Sequence, residues 1–554
     1  MHRHWLRGLG WVLGVLVVAG CRSPSGSQPP KTALIAATWP EEKIAAAHAH
    51  YSAAVIHEMN EEPEAALQEY YQAAINDPTD ESVAIDVAER FTKAKQPEKA
   101  LEVLKPAADW PTSTGEVWAK LGTVYAQLGK SEQSLAANKT AIKRSPELLA
   151  GYQNLYLTYV QNKKPDEAAK VLEEAARQED VDGEFLITLS ELFSNLGTTV
   201  PAQKANARAK SLALLNRAAK FENMPPPLRL QLAEGFNAAG DYAKAAQLYL
   251  ELLKRLPDIP LIRERVHARL TDIYLRDQDH TNAMKQLEAI MRDDPTNPQA
   301  AYWLGSIALD DKKPAQAVDW FKKAIVLDPQ LEQAYYDLAV AQIELNQGTN
   351  ALQTLQQARQ KFSQTFALEF FSGLAYGQQK DYTNALRHYT AAEVIARATD
   401  PKRLTEHFYF QLGAASERSG DLVQAEKYFQ KSLQLAPNFA DSLNYLGYMW
   451  AEHGTNLTQA RELIEKAVKV EPKNAAFLDS LGWVCFKLGQ PKEALGYIQQ
   501  SIGLLDEPDA TVYDHLGDVF AALKEPGKAR EAWQKSLGLE PNEQIRKKLE
   551  SGKE

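Results

Sequence analysis

A spacing of 34 residues constrains this chain more than any other feature of its sequence. Residues 298–331 show the unit. Gly305 lies among apolar residues at helical spacing, and after a polar turn come Ala317, Phe321 and Pro329. Small residues let two helices approach closely, and a proline ends the second helix. Because one unit cannot bury its apolar face alone, neighbouring units must supply the core. The spacing therefore predicts an all-α array of stacked helix pairs.

The same unit recurs in both directions along the chain. Its most literal first helix carries Trp118, Leu121, Gly122 and Tyr125, which match the W-x2-L-G-x2-Y template. The pattern resembles the tetratricopeptide-repeat (TPR) family. This resemblance implies a right-handed α-solenoid superhelix of about fourteen helix–turn–helix repeats. The units begin at residues 47, 81, 115, 149, 183, 226, 264, 298, 332, 366, 406, 440, 475 and 510.

Insertions divide the predicted repeats into blocks. Thr198–Pro201 distorts the fifth unit, and the prolines at 225–227 break or bend the stack. Another short insertion lies at Ala398–Arg403. The chain's end is polar and charged, as expected for a helix that caps an exposed last repeat. The predicted segments are TPR blocks at 47–225, 226–405 and 406–542, followed by a C-terminal cap helix at 543–554.

The first twenty residues predict a signal peptide. Arg3 and Arg7 form a basic segment, and Leu9–Val18 is apolar but shorter than a typical membrane-spanning helix. The sequence Val18-Ala19-Gly20-Cys21 then resembles a bacterial lipobox. That resemblance implies cleavage before Cys21 and acylation of its thiol. The alternatives are an ordinary signal peptide and an uncleaved anchor.

Residues 21–46 predict an acylated cysteine followed by a flexible tether. The segment begins rich in Ser, Pro, Gly and Gln, as flexible linkers do. Stable anchoring needs more than one acyl chain, and bacterial lipoproteins carry such a set. Arg22, rather than an aspartate, follows the cysteine. By resemblance to lipoprotein sorting in bacteria with two membranes, this implies an anchor in the outer membrane, with the chain facing the periplasm.

The net charge argues against nucleic acid as a partner, and the cysteine content argues against a fold held together by disulfides. The formal net charge is −10, which argues against nucleic acid as a partner because no basic stripe is present to balance the phosphates. Two cysteines make a structural disulfide framework a poor interpretation. Cys485 occupies an apolar position of its helix and is predicted to be a buried small hydrophobe.

Motifs for catalysis or cofactor binding are incomplete. Gly129-Lys130-Ser131 resembles the end of a phosphate-binding loop, but Val124 stands where that loop requires glycine. Three histidines, at 48, 50 and 57, cluster without the closed ligand set of a zinc site. The sequence therefore predicts no enzyme activity, cofactor, metal or small-molecule substrate.

The TPR resemblance implies that positions 2, 5, 9 and 12 of each first helix line a concave, peptide-binding surface. In this chain those positions carry aromatic and acidic residues and almost no cations. A clamp for a partner's acidic C-terminus is therefore a poor interpretation, and an apolar or basic partner segment fits better. Tyr302 and Tyr336 are better interpreted as packed residues. The predicted partner-binding residues are Phe370, Phe410, Tyr448, Trp483, Phe486, Asp479, Asp514 and Asp518.

A narrower resemblance covers residues 406–545. The runs Leu443–Tyr448, Leu478–Trp483 and His515–Asp518 are similar to those of long TPR lipoproteins of Gram-negative bacteria. This resemblance implies an adaptor whose partners are envelope proteins, with a periplasmic protease or its substrates among the candidates. The alternative is a structural assembly factor for an outer-membrane or cell-wall complex, acting through the convex face.

Overall fold

The computed structural model describes residues 39–255 and 259–551. Across these ranges the chain consists of helices and turns, and none of these residues forms a strand. The chain divides into two compact units, Met1–Ala245 and Ala246–Glu554. The predicted signal peptide and Cys21 lie outside the described residues.

The first unit is built from consecutive helix pairs, with a short 3-10 helix at Pro201–Gln203 between α9 and α10. Its boundary with the second unit falls within α12. The helices are α1 (Glu41–Met59), α2 (Pro63–Asn76), α3 (Glu81–Lys93), α4 (Pro97–Ala108), α5 (Gly115–Gln127), α6 (Ser131–Arg144), α7 (Leu149–Gln161), α8 (Pro165–Ala176), α9 (Gly183–Thr199), α10 (Lys204–Ala218), α11 (Pro226–Ala239) and α12 (Tyr242–Arg255).

The second unit continues the pairing and ends with one additional helix, α29. A 3-10 helix at Pro401–Arg403 lies between α20 and α21. The helices are α13 (Pro260–Arg276), α14 (His280–Asp293), α15 (Pro298–Asp310), α16 (Pro314–Leu327), α17 (Glu332–Glu344), α18 (Gly348–Lys361), α19 (Phe366–Gln378), α20 (Tyr382–Thr399), α21 (Glu406–Arg418), α22 (Leu422–Leu435), α23 (Ala440–Glu452), α24 (Leu457–Val470), α25 (Ala475–Lys487), α26 (Pro491–Leu504), α27 (Ala510–Ala522), α28 (Pro526–Leu539) and α29 (Glu543–Ser551).

The prediction of an all-α solenoid built from fourteen helix pairs is confirmed for the described residues. The first helix of each pair is odd-numbered, and twelve of the fourteen begin at the predicted residue. The exceptions are α1 and α13, which begin six and four residues early, at Glu41 and Pro260. Proline at the first helical position explains α13, because its fixed φ and missing N–H suit a helix start.

The early start of α1 corrects the predicted tether. Residues 41–46 were expected to be flexible, but they are helical, and Trp39 before them is packed. The indole N–H of Trp39 donates to the carbonyl of Asn76 at 2.6 Å, and its ring meets Trp110 edge-on at 5.6 Å between centroids. Glu41 and Glu42 also place negative charge in the first turn, where the helix dipole favours it.

Close contacts between paired helices explain the repeated small residues. A Cβ atom on Gly305 would lie 2.7 Å from the ring of Phe321, and one on Gly482 would lie 2.5 Å from Ile498. Both distances are too short for a real side chain, so glycine is required for the observed approach. The partner positions on even-numbered helices, such as Ala317, are fully buried. The interpretation of these residues as contact points is therefore confirmed.

The described residues contain no helix that is both long and apolar enough to cross a membrane. The same residues contain no group of three or more His, Cys, Asp or Glu side chains suited to a metal ion.

Candidate partner-binding surface

Three odd-numbered helices of the second unit, α23, α25 and α27, carry most of the predicted contact residues at their fifth and ninth positions. Residues four apart lie on the same side of a helix, so each pair of positions shares a surface. The three helices pack against one another in order, which brings the pairs together. We call this surface the acidic–aromatic face, and it consists of Asn444, Tyr448, Asp479, Trp483, Asp514 and Asp518.

Trp483 lies within this face but is only 6% exposed. Its ring stacks on His515 with 4.0 Å between centroids and on half-buried Phe486 with 5.1 Å. The indole N–H donates to Glu452 at 2.7 Å, and the ammonium of Lys487 lies 4.6 Å from the ring centroid. The expectation that Trp483 is an exposed contact is therefore wrong, because these neighbours cover it.

Asp479 is also buried, which corrects the expectation that it is exposed. Its Oδ2 accepts a hydrogen bond from Nδ1 of buried His515 at 2.9 Å. Its Oδ1 has no hydrogen-bond partner among the described residues, and neither has Oδ1 of buried Asn444. Leaving a buried acceptor without a donor costs about 1–3 kcal/mol. Buried polar atoms without a partner also occur elsewhere among the described residues, on Asn138, Tyr152, His267 and Gln378. Asn444 and Asp479 differ from these in sharing the fifth position of two neighbouring odd-numbered helices.

Tyr448 is half-buried beside these acceptors. Burial raises the pKa of its hydroxyl above the usual range, and the carboxylates of Glu452, Asp479 and Glu417 raise it further. Each of those carboxylates therefore lies close enough to place negative potential at the hydroxyl. The surroundings of Tyr448 favour a positively charged neighbour.

Asp514 and Asp518 at α27 have a cation of their own. The ammonium of Lys548 in α29 donates to both carboxylates, at 2.8 Å each. The indole N–H of Trp533 donates to the second oxygen of Asp518 at 3.1 Å. Burial raises the pKa of Asp518, and the nearby Lys548 lowers it by less, so the net shift is upward. Burial lowers the pKa of Lys548, but its two carboxylates raise it by more, so its net shift is also upward. These two predicted contact residues are thus occupied by the cap helix.

The two predicted phenylalanines lie earlier in the unit and are half-buried. Phe370 of α19 stacks on Phe366 at 5.5 Å. Phe410 of α21 meets Tyr445 of α23 edge-on at 5.2 Å. Both rings therefore contribute to packing while keeping part of their surface accessible. Their partner-binding role stays a prediction, as do those of Tyr448 and Phe486.

Sequence reasoning missed a buried charge network around Glu369 in α19. This residue is 1% exposed. Oε1 accepts from Arg359 at 2.5 Å and from Gln364 at 3.0 Å, and Oε2 accepts from Nδ1 of His388 at 2.6 Å. Burial raises the pKa of Glu369, but the hydrogen bonds from His388 and Arg359 outweigh it and lower the pKa to about 2. A signal was present, because Glu369 takes the fourth position of its unit, where the repeat template has tryptophan.

Groups that resembled catalytic motifs have ordinary structural roles. Gly129 adopts a φ of 69° in the turn between α5 and α6, as the repeat pattern predicts. Cys485 is fully buried, and burial raises the pKa of its thiol to about 11. His50 and His57 each lie beside one glutamate, Glu69 and Glu62 respectively.

Tetratricopeptide-repeat family models match four parts of the chain, residues 33–81, 115–148, 407–439 and 451–510. A model described as anaphase-promoting complex, cyclosome, subunit 3 matches residues 276–358. Where these matches cover described residues, they fall on the helix pairs given above and on the turns beside them. With the observed helix pairs, they support a tetratricopeptide-repeat protein.

Similarity to individual proteins is lower. The chain is 27% identical over 157 residues to the protein O-mannosyl-transferase TMTC3 of Homo sapiens, a match covering 28% of this chain and 16% of that protein. It is 22% identical over 375 residues to DnaJ homolog subfamily C member 3 of Gallus gallus, covering 65% of this chain and 58% of that protein. The chain thus spans less than two thirds of either relative.

The chain also matches two solved structures at low sequence identity. The APC/C hetero-tetramer Cut9–Hcn1 is 16% identical, with a TM-score of 0.41 and coverage of 84% of this chain and 95% of that one. A tetratricopeptide repeat protein from Parabacteroides merdae is 15% identical, with a TM-score of 0.38 and coverage of 46% and 99%.

Proposed function

We propose that this chain is a membrane-anchored adaptor of the bacterial envelope, which binds segments of partner proteins on the acidic–aromatic face. Tetratricopeptide repeats are typical of protein-interaction scaffolds. The observation that carries the proposal is that Asn444 and Asp479 each present a buried oxygen without a donor from the described chain. A donor from another molecule that reached them would relieve the cost of leaving a buried acceptor unpaired. The adaptor performs no chemistry and acts by raising the local concentration of its partners near the membrane.

Anchoring through acylated Cys21 is part of this proposal, and its support is the lipobox-like sequence at 18–21. The test is to express Cys21→Ser beside the wild-type chain in the native bacterium and to fractionate the cells. We expect radiolabelled palmitate on the wild-type chain and none on Cys21→Ser. The wild-type chain should also sediment with the outer membrane. An unlabelled wild-type chain recovered with soluble proteins would contradict the anchor without touching the binding face.

The partner is best sought by crosslinking the anchored chain in its own cells and identifying the adducts by mass spectrometry. Tyr448→Ala combined with Phe486→Ala should reduce recovery of the main envelope partner about tenfold or more. Both side chains are half-buried, Tyr448 in the acidic–aromatic face and Phe486 beside it, against Trp483. Glu462→Gln on α24, which is exposed, is the control and should leave recovery unchanged. Equal recovery from all three chains would count against this surface. Circular dichroism should show equal helix content throughout.

A second candidate function has a specific observation in its favour. Even-numbered helices of the second unit carry exposed aliphatic residues, which favour a structural assembly factor that engages a complex through the opposite surface. Val326 and Val423 are each 78% exposed, and Val394 is 64% exposed. Val394→Ser with Val423→Ser would abolish recovery of the partner under this alternative, and would leave it intact under the adaptor proposal. Further members of this set are Leu435, Val470, Leu504 and Leu539.

A further inference from the structure

The acidic–aromatic face contains an internal example of cation binding. Lys548 reaches from α29 to α27 and donates to Asp514 and Asp518, at 2.8 Å each. Lys548 therefore contacts the carboxylates at the fifth and ninth positions of α27, the first helix of the last repeat. One lysine faces two carboxylates there, so the local charge remains negative.

Equivalent positions one and two repeats earlier receive no such cation from the described residues. In α25 the fifth position is Asp479, whose Oδ1 is buried and lacks a partner. In α23 the fifth position is Asn444, whose Oδ1 is also buried and lacks a partner. Both oxygens are acceptors. What the site lacks is therefore a donor.

The ninth position of α23 indicates which kind of donor fits. Tyr448 lies one helical turn from Asn444 on the same side of the helix. The negative potential of Glu452, Asp479 and Glu417 reaches its hydroxyl. Lys487 lies beside this group, over the ring of Trp483, and its ammonium donates to the carbonyl of Glu452 at 3.3 Å. Arg418 lies close enough to Glu417 to favour the charged form of that carboxyl. An ammonium or guanidinium group suits this potential, whereas a carboxylate would be repelled.

We propose that α23 and α25 form a binding site for one lysine or arginine side chain of a partner protein segment. The incoming cation donates to Oδ1 of Asn444 and Oδ1 of Asp479, and its aliphatic stem lies along the half-buried ring of Tyr448. This site rests on the adaptor function proposed above and specifies the partner's chemistry. Lys548 shows within the chain that an acceptor at the fifth position of an odd-numbered helix can hold an ammonium group.

The test uses the purified full chain and four pools of short fluorescent peptides. The pools are identical mixtures except for a fixed central residue, which is lysine, arginine, norleucine or glutamate. Fluorescence polarisation should show binding of the lysine and arginine pools at least about tenfold tighter than the norleucine pool, with no binding of the glutamate pool. The advantage should shrink at high salt, because ion pairs at a surface are screened.

Two variants and one control locate the site. Asp479→Asn keeps the shape but removes the charge and replaces one of the two acceptor oxygens by an NH2 donor. It should weaken the lysine pool about tenfold while leaving the norleucine pool unchanged. Glu462→Gln removes an exposed charge from α24 and should change neither pool. Asn444→Ser shortens the other acceptor and should weaken both cationic pools.

The outcomes separate this proposal from the adaptor function. Equal binding of the lysine, arginine and norleucine pools overturns the cation site while leaving the face as a binding surface. Equal loss of lysine-pool binding in Asp479→Asn and Glu462→Gln also overturns it, because the attraction would then be diffuse. If no pool binds, the cation site is again overturned, and the adaptor function is decided separately by the crosslinking experiment.

Discussion

Two buried carboxylates of the second unit differ in how completely the chain satisfies them. Both oxygens of Glu369 in α19 accept hydrogen bonds, from Arg359 in α18 and His388 in α20 among others. Asp479 in α25 has one oxygen bonded to His515 and one with no partner among the described residues. Glu369 therefore completes a network that ties three helices together. Asp479 leaves an acceptor for a group from outside the chain.

The largest expected effect is on stability when the complete network is broken. Glu369→Ala leaves Arg359 and His388 without their carboxylate and should destabilise α19 and α20 by about 3–5 kcal/mol. Hydrogen exchange of the amides in these helices, measured by mass spectrometry, reports the local opening free energy. Unchanged protection of these amides would show that the Glu369 network does not stabilise α19 and α20. The contrast between Glu369 and Asp479 would then be wrong.

Acid should weaken the Glu369 network, because folding lowers the pKa of its carboxyl. Because the pKa of folded Glu369 is about 2 and its unperturbed value is 4.5, the carboxylate stabilises the folded state fully above about pH 4.5. This contribution is lost as pH falls from about 4.5 through about 2, and amounts to about 3 kcal/mol. Glu369→Gln should remove that part of the acid dependence of hydrogen exchange in α19. An identical acid profile in both chains would contradict the assignment.

A matched pair of glycines tests whether Oδ1 of Asp479 lacks a partner because α25 is poorly packed. A Cβ on Gly373 in α19 would lie 2.5 Å from Tyr389, and one on Gly482 in α25 would lie 2.5 Å from Ile498. Alanine at either position should therefore destabilise its helix pair by a similar amount, about 1–3 kcal/mol. A markedly smaller effect of Gly482→Ala, measured by urea unfolding, would indicate that α25 is loosely packed.

The smallest effect is expected at the open carboxylate itself. Asp479→Asn keeps an acceptor for His515 and fills the same volume, so its stability should change by about 1 kcal/mol or less. Urea unfolding compared with Glu369→Ala makes the contrast direct. A loss as large as that of Glu369→Ala would mean that Asp479 is a structural carboxylate, and that its free oxygen has no role in binding.

The fold followed from the sequence because each repeat carries the same small residues at the same spacing. Gly305 and Ala317 identify their contact without any knowledge of distant residues, and the A helix of that unit begins where predicted, at Pro298. The start of α1 was misplaced, since Trp39 packs against Trp110 and the repeat template does not describe that contact.

The binding surface was predicted less well, because position in a repeat does not determine exposure. Trp483 takes the ninth position, yet His515 of the next odd-numbered helix covers its ring. Asp514 and Asp518 are half-buried, and their pairing with Lys548 depends on how the last helix packs. The burial of Trp483 and the pairing of Lys548 both depend on contacts between neighbouring repeats, which the 34-residue pattern does not specify.

Photo-crosslinking in living cells distinguishes the acidic–aromatic face from the exposed residues of the even-numbered helices. A photo-crosslinking amino acid such as p-benzoylphenylalanine replaces Tyr448 on the acidic–aromatic face or, in a matched chain, exposed Val423 on α22. Both chains are irradiated in living cells. We expect an adduct with one envelope protein from position 448, mapped to a segment containing lysine or arginine, and none from position 423. An adduct from position 423 with none from position 448 would contradict this expectation.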